Sequence, residues 1–213
     1  MRRSLCKLVQ PTQRSAWRLA PSGWRNPANR VASIRMRLFH FSDDGGLTRF
    51  VPRPVSVPAV RAAGRDWLNG PLVWAIDEAR QPLYLFPRDC PRILLYPTPA
   101  TTPEDLAHWW GGRSCRMIAH IERAWFERFR AARLFRYELP VAAFEDLDDA
   151  GMWVARGEVE PVGVEILDDL PAALAGEGVE LRLMDSLAPL KGVWDTSLHA
   201  SGIRLRNAAG WKV

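Results

Sequence analysis

Residues 152–184 read MWVARGEVEPVGVEILDDLPAALAGEGVELRLM, and this stretch decides the fold class. Apolar and β-branched runs predict strands over Met152–Ala155, 162–167 and Val179–Met184. A short helix is predicted over 169–175. Two strands follow each other directly, so strands and helices do not alternate regularly. The pattern therefore favours a single α+β domain, with a mixed or antiparallel sheet and a few helices, over a doubly wound α/β sheet.

The rest of the chain fits this class. Further strands are predicted over 38–41, 72–76, 93–96, Leu134–Leu139 and 203–207, and a short helix over 59–69. Thr102 followed by Pro103 and two acids predicts a helix start, with the helix ending before Gly111. The apolar spacing over 117–132 predicts the longest helix.

The charge is divided unevenly along the chain. Residues 1–37 hold eight Arg, one Lys and no acid, whereas the remaining residues hold 20 basic and 24 acidic side chains. We therefore predict a disordered basic leader over 1–35 and a folded domain over 36–213. The leader resembles an organelle transit peptide, but the change of composition at Met36 favours that residue as the start of the functional protein. The folded body shows no nucleic-acid footprint, because the excess positive charge belongs to the leader.

Several classes of protein are disfavoured. No apolar run reaches the roughly 18–20 residues that a membrane-spanning helix needs. Three cysteines without a CxxC spacing favour reduced thiols and a cytoplasmic location. No Cys or His pair has the spacing of metal ligands. Signatures of P-loop, dinucleotide-binding, serine hydrolase and zinc protease motifs are absent, so whether the chain is an enzyme stays open.

Two segments carry candidate binding residues. His40 and Ser42 lie two apart in the first strand, so they share a face, and His40 is a candidate ligand contact or general base. The alternative is a half-buried histidine bound to the backbone. Arg88 and Arg92 each directly follow a proline in the turn PRDCPR (87–92), a setting that suits phosphate or carboxylate binding, or else an internal brace. Cys90 between them is either a nucleophile or a small core residue.

Other polar residues have two interpretations each. Tyr84 is a core residue or a ring that stacks on a ligand. Glu158 and Glu160 are surface carboxylates or hold a catalytic acid. Arg204 and Arg206 alternate along a predicted terminal strand, so they form an anion site or a solvated edge.

Five strings are similar to a family of uncharacterised bacterial proteins: LFHFSDD (38–44), VWAIDE (73–78), PLYLFPRDCPR (82–92), YELP (137–140) and IRLRN (203–207). The likeness spans about residues 36–210 and omits the leader. This resemblance identifies related proteins, but it implies no activity because their function is unassigned.

The order of motifs also resembles the ADP-ribosyltransferase-like fold. Such enzymes open with a strand ending in His and a small hydroxyl residue, continue through a tyrosine, and take a glutamate from a late strand. The resemblance implies NAD as cofactor and a transferase reaction. Glu158 or Glu160 is the candidate for this glutamate. The implied roles are dinucleotide binding by His40 and Ser42, stacking of Tyr84 on nicotinamide, phosphate binding by Arg88 or Arg92, and catalysis by Glu160.

Three functions are thus open. The first is an NAD-using transferase. The second is a non-catalytic module that binds a small anionic ligand or nucleotide through Arg88, Arg92, Arg204 and Arg206. The third is a protein-interaction domain without a small-molecule site.

Overall fold

The computed structural model describes residues 36–58 and 60–211, so the predicted leader over 1–35 lies outside the described residues. The strands in this part of the chain are β1 (Leu38–Ser42), β2 (Val73–Asp77), β3 (Arg92–Tyr96), β4 (Met117–Glu122), β5 (Leu134–Leu139), β6 (Glu145–Asp146), β7 (Met152–Ala155), β8 (Gly163–Leu167), β9 (Val179–Met184) and β10 (His199–Ile203). The α-helices are α1 (Pro103–Trp110), α2 (Phe126–Ala131) and α3 (Leu170–Gly176). Short 3-10 helices include Asp66–Asn69, Gln81–Tyr84, Ala188–Asp195 and Leu205–Asn207.

The strands form two sheets. A six-stranded antiparallel sheet has the order β6-β7-β2-β1-β5-β8, and a four-stranded sheet has the order β10-β3-β4-β9. In the second sheet only the β4–β9 pair is parallel. The predicted α+β class is confirmed, with two sheets in one domain.

The alternation in β1 explains its position between two cores. Phe39 and Phe41 belong to the hydrophobic cluster that also contains residues of β3 and β4. Leu38 packs in a second cluster with Phe50 and Tyr137. Since successive side chains of a strand point to opposite faces, the LFHFS segment contributes to both sides of its sheet.

The prediction of one long helix over 117–132 is wrong in its first half. Residues Met117–Glu122 form β4, which pairs with β3 on one side and β9 on the other, and all six residues are buried. A strand covered on both faces loses its polar alternation, so its apolar residues also fit a helical spacing. Helical structure begins at Arg123 and ends with α2 at Ala131.

Two further predictions need correction. The last strand, β10, ends at Ile203, so Arg204 and Arg206 do not alternate along a strand. Arg204 has a left-handed backbone with φ of 56° and precedes the 3-10 helix Leu205–Asn207. The helix predicted over 59–69 is reduced to the 3-10 helix Asp66–Asn69 in the described residues.

Helix α1 confirms its predicted capping. The Thr102 side chain accepts a hydrogen bond from the backbone N–H of Asp105, and Gly111 ends the helix in the left-handed conformation, with φ of 54°. Within the described residues no helix is long and apolar enough to cross a membrane.

Candidate ligand-binding cleft

A cavity of about 440 Å³ is lined from both sheets. From the first part of the chain its walls include His40, Ser42 and Tyr84. Its arginines are Arg88, Arg92, Arg204 and Arg206. The structure thus brings together seven of the ten residues that the sequence analysis named as candidates, all except Cys90, Glu158 and Glu160. We call this cavity the arginine cleft.

Arg92 is the most deeply buried charge of the arginine cleft. It begins β3 and is only 3% exposed. Its Nε donates to the carbonyl oxygen of Leu83 at 2.8 Å, and its Nη1 donates to that of Cys90 at 3.1 Å. The guanidinium carbon lies 5.1 Å from the ring centroid of Phe86 and 5.8 Å from that of Tyr84. Arg92 forms no ion pair with any described carboxylate.

The buried site of Arg92 is electrostatically unfavourable for a cation that has no counter-ion. Burial is the main cause that lowers the pKa of Arg92, to about 10. Cys90 and Tyr84 oppose this change, and the charge of Arg204 adds to it. The guanidinium is still charged at neutral pH. An isolated buried charge is costly unless it is paired, so a bound anion would stabilise this arrangement.

The other three arginines lie nearer the solvent. Arg88 pairs with Asp43 at 3.1 Å, and this carboxylate also lines the arginine cleft. Arg204 Nε donates to the carbonyl oxygen of Arg88 at 3.0 Å, which ties the end of β10 to the proline-rich turn. Arg206 is exposed. Four guanidiniums thus face one carboxylate among the lining residues, which leaves a strong positive excess.

His40 is held in a defined tautomer. Its Nδ1 lies 2.8 Å from the carbonyl oxygen of Trp74, so Nδ1 carries the proton and donates. Burial lowers the pKa of His40, and Arg88 and Arg53 add to that effect against the opposing hydrogen bond to Trp74. The imidazole is therefore neutral at pH 7, with Nε2 as an acceptor. The ring thus binds the backbone, as one of the two alternatives predicts, and it also lines the arginine cleft.

Ser42 shapes the loop that follows β1. Its Oγ accepts a hydrogen bond from the backbone N–H of Asp44 at 3.1 Å. The sequence reasoning missed the second support of this loop, Tyr137, whose hydroxyl donates to the carbonyl oxygen of Asp44 at 2.8 Å and accepts from the N–H of Leu47 at 3.1 Å. The loop that carries Asp43 is thus fixed to β5. No local signal marks Tyr137 for this role, because the contact spans two strands.

Tyr84 is half-buried and lies parallel to Phe41, with ring centroids 6.4 Å apart. Its hydroxyl donates to the sulfur of Met152 at 3.5 Å, and burial raises its pKa. The phenol is therefore a neutral donor at physiological pH. Its ring contributes an apolar surface to the arginine cleft.

The predicted carboxylates lie elsewhere. Glu158 and Glu160 pair with Arg49 at 2.9 and 3.8 Å, and neither is among the residues that line the arginine cleft. Cys90 is fully buried, and burial raises the pKa of its thiol to about 12. Of the two interpretations of Cys90, a nucleophile or a small core residue, the structure favours the core residue, because the reactive thiolate is not populated at neutral pH.

A second cavity of about 510 Å³ adjoins the arginine cleft. The two share six lining residues: Trp74, Tyr84, Met152, Ile203, Arg204 and Arg206. Trp74, which the sequence reasoning did not single out, has a buried indole N–H without a partner in the described residues. Those residues include no group of three or more His, Cys, Asp or Glu that could hold a metal ion.

The fold and the cavity define a class: an α+β domain with an arginine-lined cleft between two sheets. The chain belongs to the family of unknown function DUF6886, which matches residues 39–208. The matched region includes every residue that lines the arginine cleft. No curated protein and no solved structure matches the chain.

Proposed function

We propose that the arginine cleft binds a small anionic ligand that carries a phosphate or a comparable oxyanion. The observation that carries this proposal is Arg92, a charged guanidinium that is 3% exposed and lines the cleft. Among the described residues, its hydrogen-bond partners are carbonyl oxygens only. Guanidiniums match the planar oxygen pairs of phosphate and carboxylate, and such charged hydrogen bonds are stronger than neutral ones.

The surrounding groups support an anion more than a cation. Arg88 and Arg204 are held next to each other by the hydrogen bond between them. His40 is neutral and its Nε2 accepts a hydrogen bond from a ligand hydroxyl or amine. The ligand is thus expected to combine an anionic group with neutral polar atoms.

The test is binding of inorganic pyrophosphate to the full chain by calorimetry at about 0.15 M salt, where exposed charges are screened beyond about 8 Å. The variant is the double substitution Arg88→Ala with Arg206→Ala, which leaves the buried Arg92 in place. Loss of two charged hydrogen bonds is expected to weaken binding about tenfold or more.

The matched control is Arg123→Ala with Arg130→Ala. Arg123 pairs with Asp185 at 3.3 Å and is 64% exposed at its side chain, much as Arg88 pairs with Asp43 and is 57% exposed. Neither control residue lines the arginine cleft. Equal affinity of both double variants, or no binding by the parent chain, would refute the proposal.

NAD-dependent transfer is a second candidate, because His40, Ser42 and Tyr84 line the same cleft as the arginines. Glu160, the catalytic residue that the resemblance implies, does not line it, whereas the carboxylate of Asp43 does. The experiment is release of nicotinamide from NAD by the parent chain and by the Glu160→Gln and Asp43→Asn variants. Binding of NAD without release of nicotinamide would favour the interpretation of the chain as a non-catalytic binding module. If one of the two variants no longer released nicotinamide, its substituted carboxylate would be the one that the reaction requires.

A further inference from the structure

The second cavity shares a wall with the arginine cleft but differs from it in chemistry. Arg204 and Arg206 line both cavities, whereas Arg88 and Arg92 line only the arginine cleft. Ten residues line only the second cavity, and six of them are apolar: Val55, Val57, Leu68, Leu83, Leu147 and Ala150. The charged ones are one arginine, Arg61, and one carboxylate, Asp149. An uncharged ligand part therefore fits the second cavity better than a second phosphate does.

The wall between the cavities offers a ring surface. Trp74 and Tyr84 line both sides, and the guanidinium carbon of Arg61 lies 5.9 Å from the ring centroid of Trp74. The buried indole N–H of Trp74 has no partner in the described part of the chain. This nitrogen is closed off from both cavities, so the rings of Trp74 and Tyr84, and not the N–H, are the surfaces that a ligand at this wall would contact.

A loop that lines the second cavity has strained backbone. Asp148 and Ala150 both have a positive φ of 48°, which non-glycine residues rarely adopt. Asp149 and Ala150 line the cavity. The carboxylate of Asp149 is an acceptor suited to ligand hydroxyls, and strained residues of this kind cluster at ligand sites.

We propose that the ligand spans both cavities, with its anionic group in the arginine cleft and an uncharged, ring-bearing part in the second cavity. This inference rests on the proposed function of the arginine cleft. The chemical class is a phosphate ester with a hydroxyl-bearing organic group, of which nucleoside diphosphates are the representative. Trp74 and Tyr84 would contact the ring-bearing part, and Asp149 its hydroxyls.

The test compares three probes on the full chain by calorimetry: pyrophosphate, ADP and UDP. At least one nucleoside diphosphate is expected to bind ten times or more tightly than pyrophosphate, because only it occupies the second cavity. The variant Val57→Trp places a large side chain at the wall of that cavity, on a loop residue that is 57% exposed. It is expected to reduce nucleotide affinity to about that of pyrophosphate and to leave pyrophosphate binding unchanged.

The matched control is Val51→Trp, at a loop residue that is 50% exposed and lines neither cavity. It should leave all affinities unchanged. This inference would be overturned if the chain bound pyrophosphate but bound ADP and UDP no more tightly. It would also be overturned if Val57→Trp changed the affinity for all three probes equally, or changed none of them. In each case the proposed anion binding in the arginine cleft would stand. Failure of all probes to bind would refute the proposed function and this inference with it.

Discussion

At the scale of single residues, burial decides the protonation of several groups. His120 in β4 is 2% exposed, and its Nδ1 has no hydrogen-bond partner in the described residues. Burial, and after it the charge of Arg182, lowers the pKa of His120 to about 4. A hydrogen bond with the backbone of Ile93 and the negative charge of Glu180 oppose this change. The imidazole is thus neutral in the folded protein across the physiological range.

The pH dependence of stability follows from this value. The unfolded chain binds a proton on His120 below its ordinary pKa of about 6.5, whereas the folded chain binds it only near pH 4. The unfolded state therefore binds more protons between these limits, and the free energy of unfolding falls as the pH is lowered through them. The loss attributable to His120 is about 3 kcal/mol on completion.

The measurement is urea unfolding between pH 7 and pH 4.5 for the parent chain and a His120→Met variant. The variant should show a shallower decline, although not a flat one, because burial also lowers the pKa of His40 and His199. An unchanged slope in the variant would contradict the assignment to His120.

At the scale of the elements, β4 has the most testable consequence. As part of a helix over 117–132, Glu122 would be a solvent-exposed residue like Glu127. As the last residue of β4 it is 3% exposed, and its Oε1 accepts a hydrogen bond from the backbone N–H of Ala209 at 2.8 Å. The strand therefore connects through Glu122 to the segment that follows the last 3-10 helix.

We expect Glu122→Ala to lower the free energy of unfolding by about 1–3 kcal/mol, because it removes the hydrogen bond that the buried Glu122 carboxylate accepts from the N–H of Ala209. The matched control Glu127→Ala, whose residue forms an exposed i,i+3 pair with Arg130, should change it by less than about 0.5 kcal/mol. Glu122→Gln retains an acceptor oxygen and should lose less than Glu122→Ala. Chemical denaturation measures all three, and equal effects at 122 and 127 would argue against the buried strand.

At the scale of the whole molecule, the arginine cleft is built by both sheets. β1 and β2 supply one wall, and the start of β3 and the end of β10 supply the other. A ligand that contacts both walls should therefore stabilise them together. At a concentration of 100 times its dissociation constant, it would add about 2.7 kcal/mol to the free energy of unfolding.

Hydrogen exchange measured by mass spectrometry tests this coupling. Saturating pyrophosphate is expected to slow amide exchange in β1 and in the turn after β10, and to leave β8 unaffected, since no residue of β8 lines the cleft. The Arg88→Ala and Arg206→Ala double variant should lose this protection. Protection confined to peptides of residues 1–35 would instead identify the basic N-terminal segment as the site of binding.

A good part of the fold follows from local sequence signals. The alternation of β1, the caps of α1 and the two adjacent strands β7 and β8 are short-range patterns, and the structure has these elements where the sequence predicts them. Local propensity failed at β4, because burial on both faces removes the polar residues that distinguish a strand from a helix.

By itself the sequence determined the α+β class and the residue types of the site: an imidazole, a serine, a phenol and four guanidiniums. Only the tertiary structure decided that Arg88 and Arg92 meet Arg204 and Arg206, since more than a hundred residues separate Arg88 from Arg204. It also decided that Glu160 lies outside the cleft, paired with Arg49. The physical reason is that periodicity reports which face of an element is buried, whereas the neighbours of that face depend on how the sheets pack.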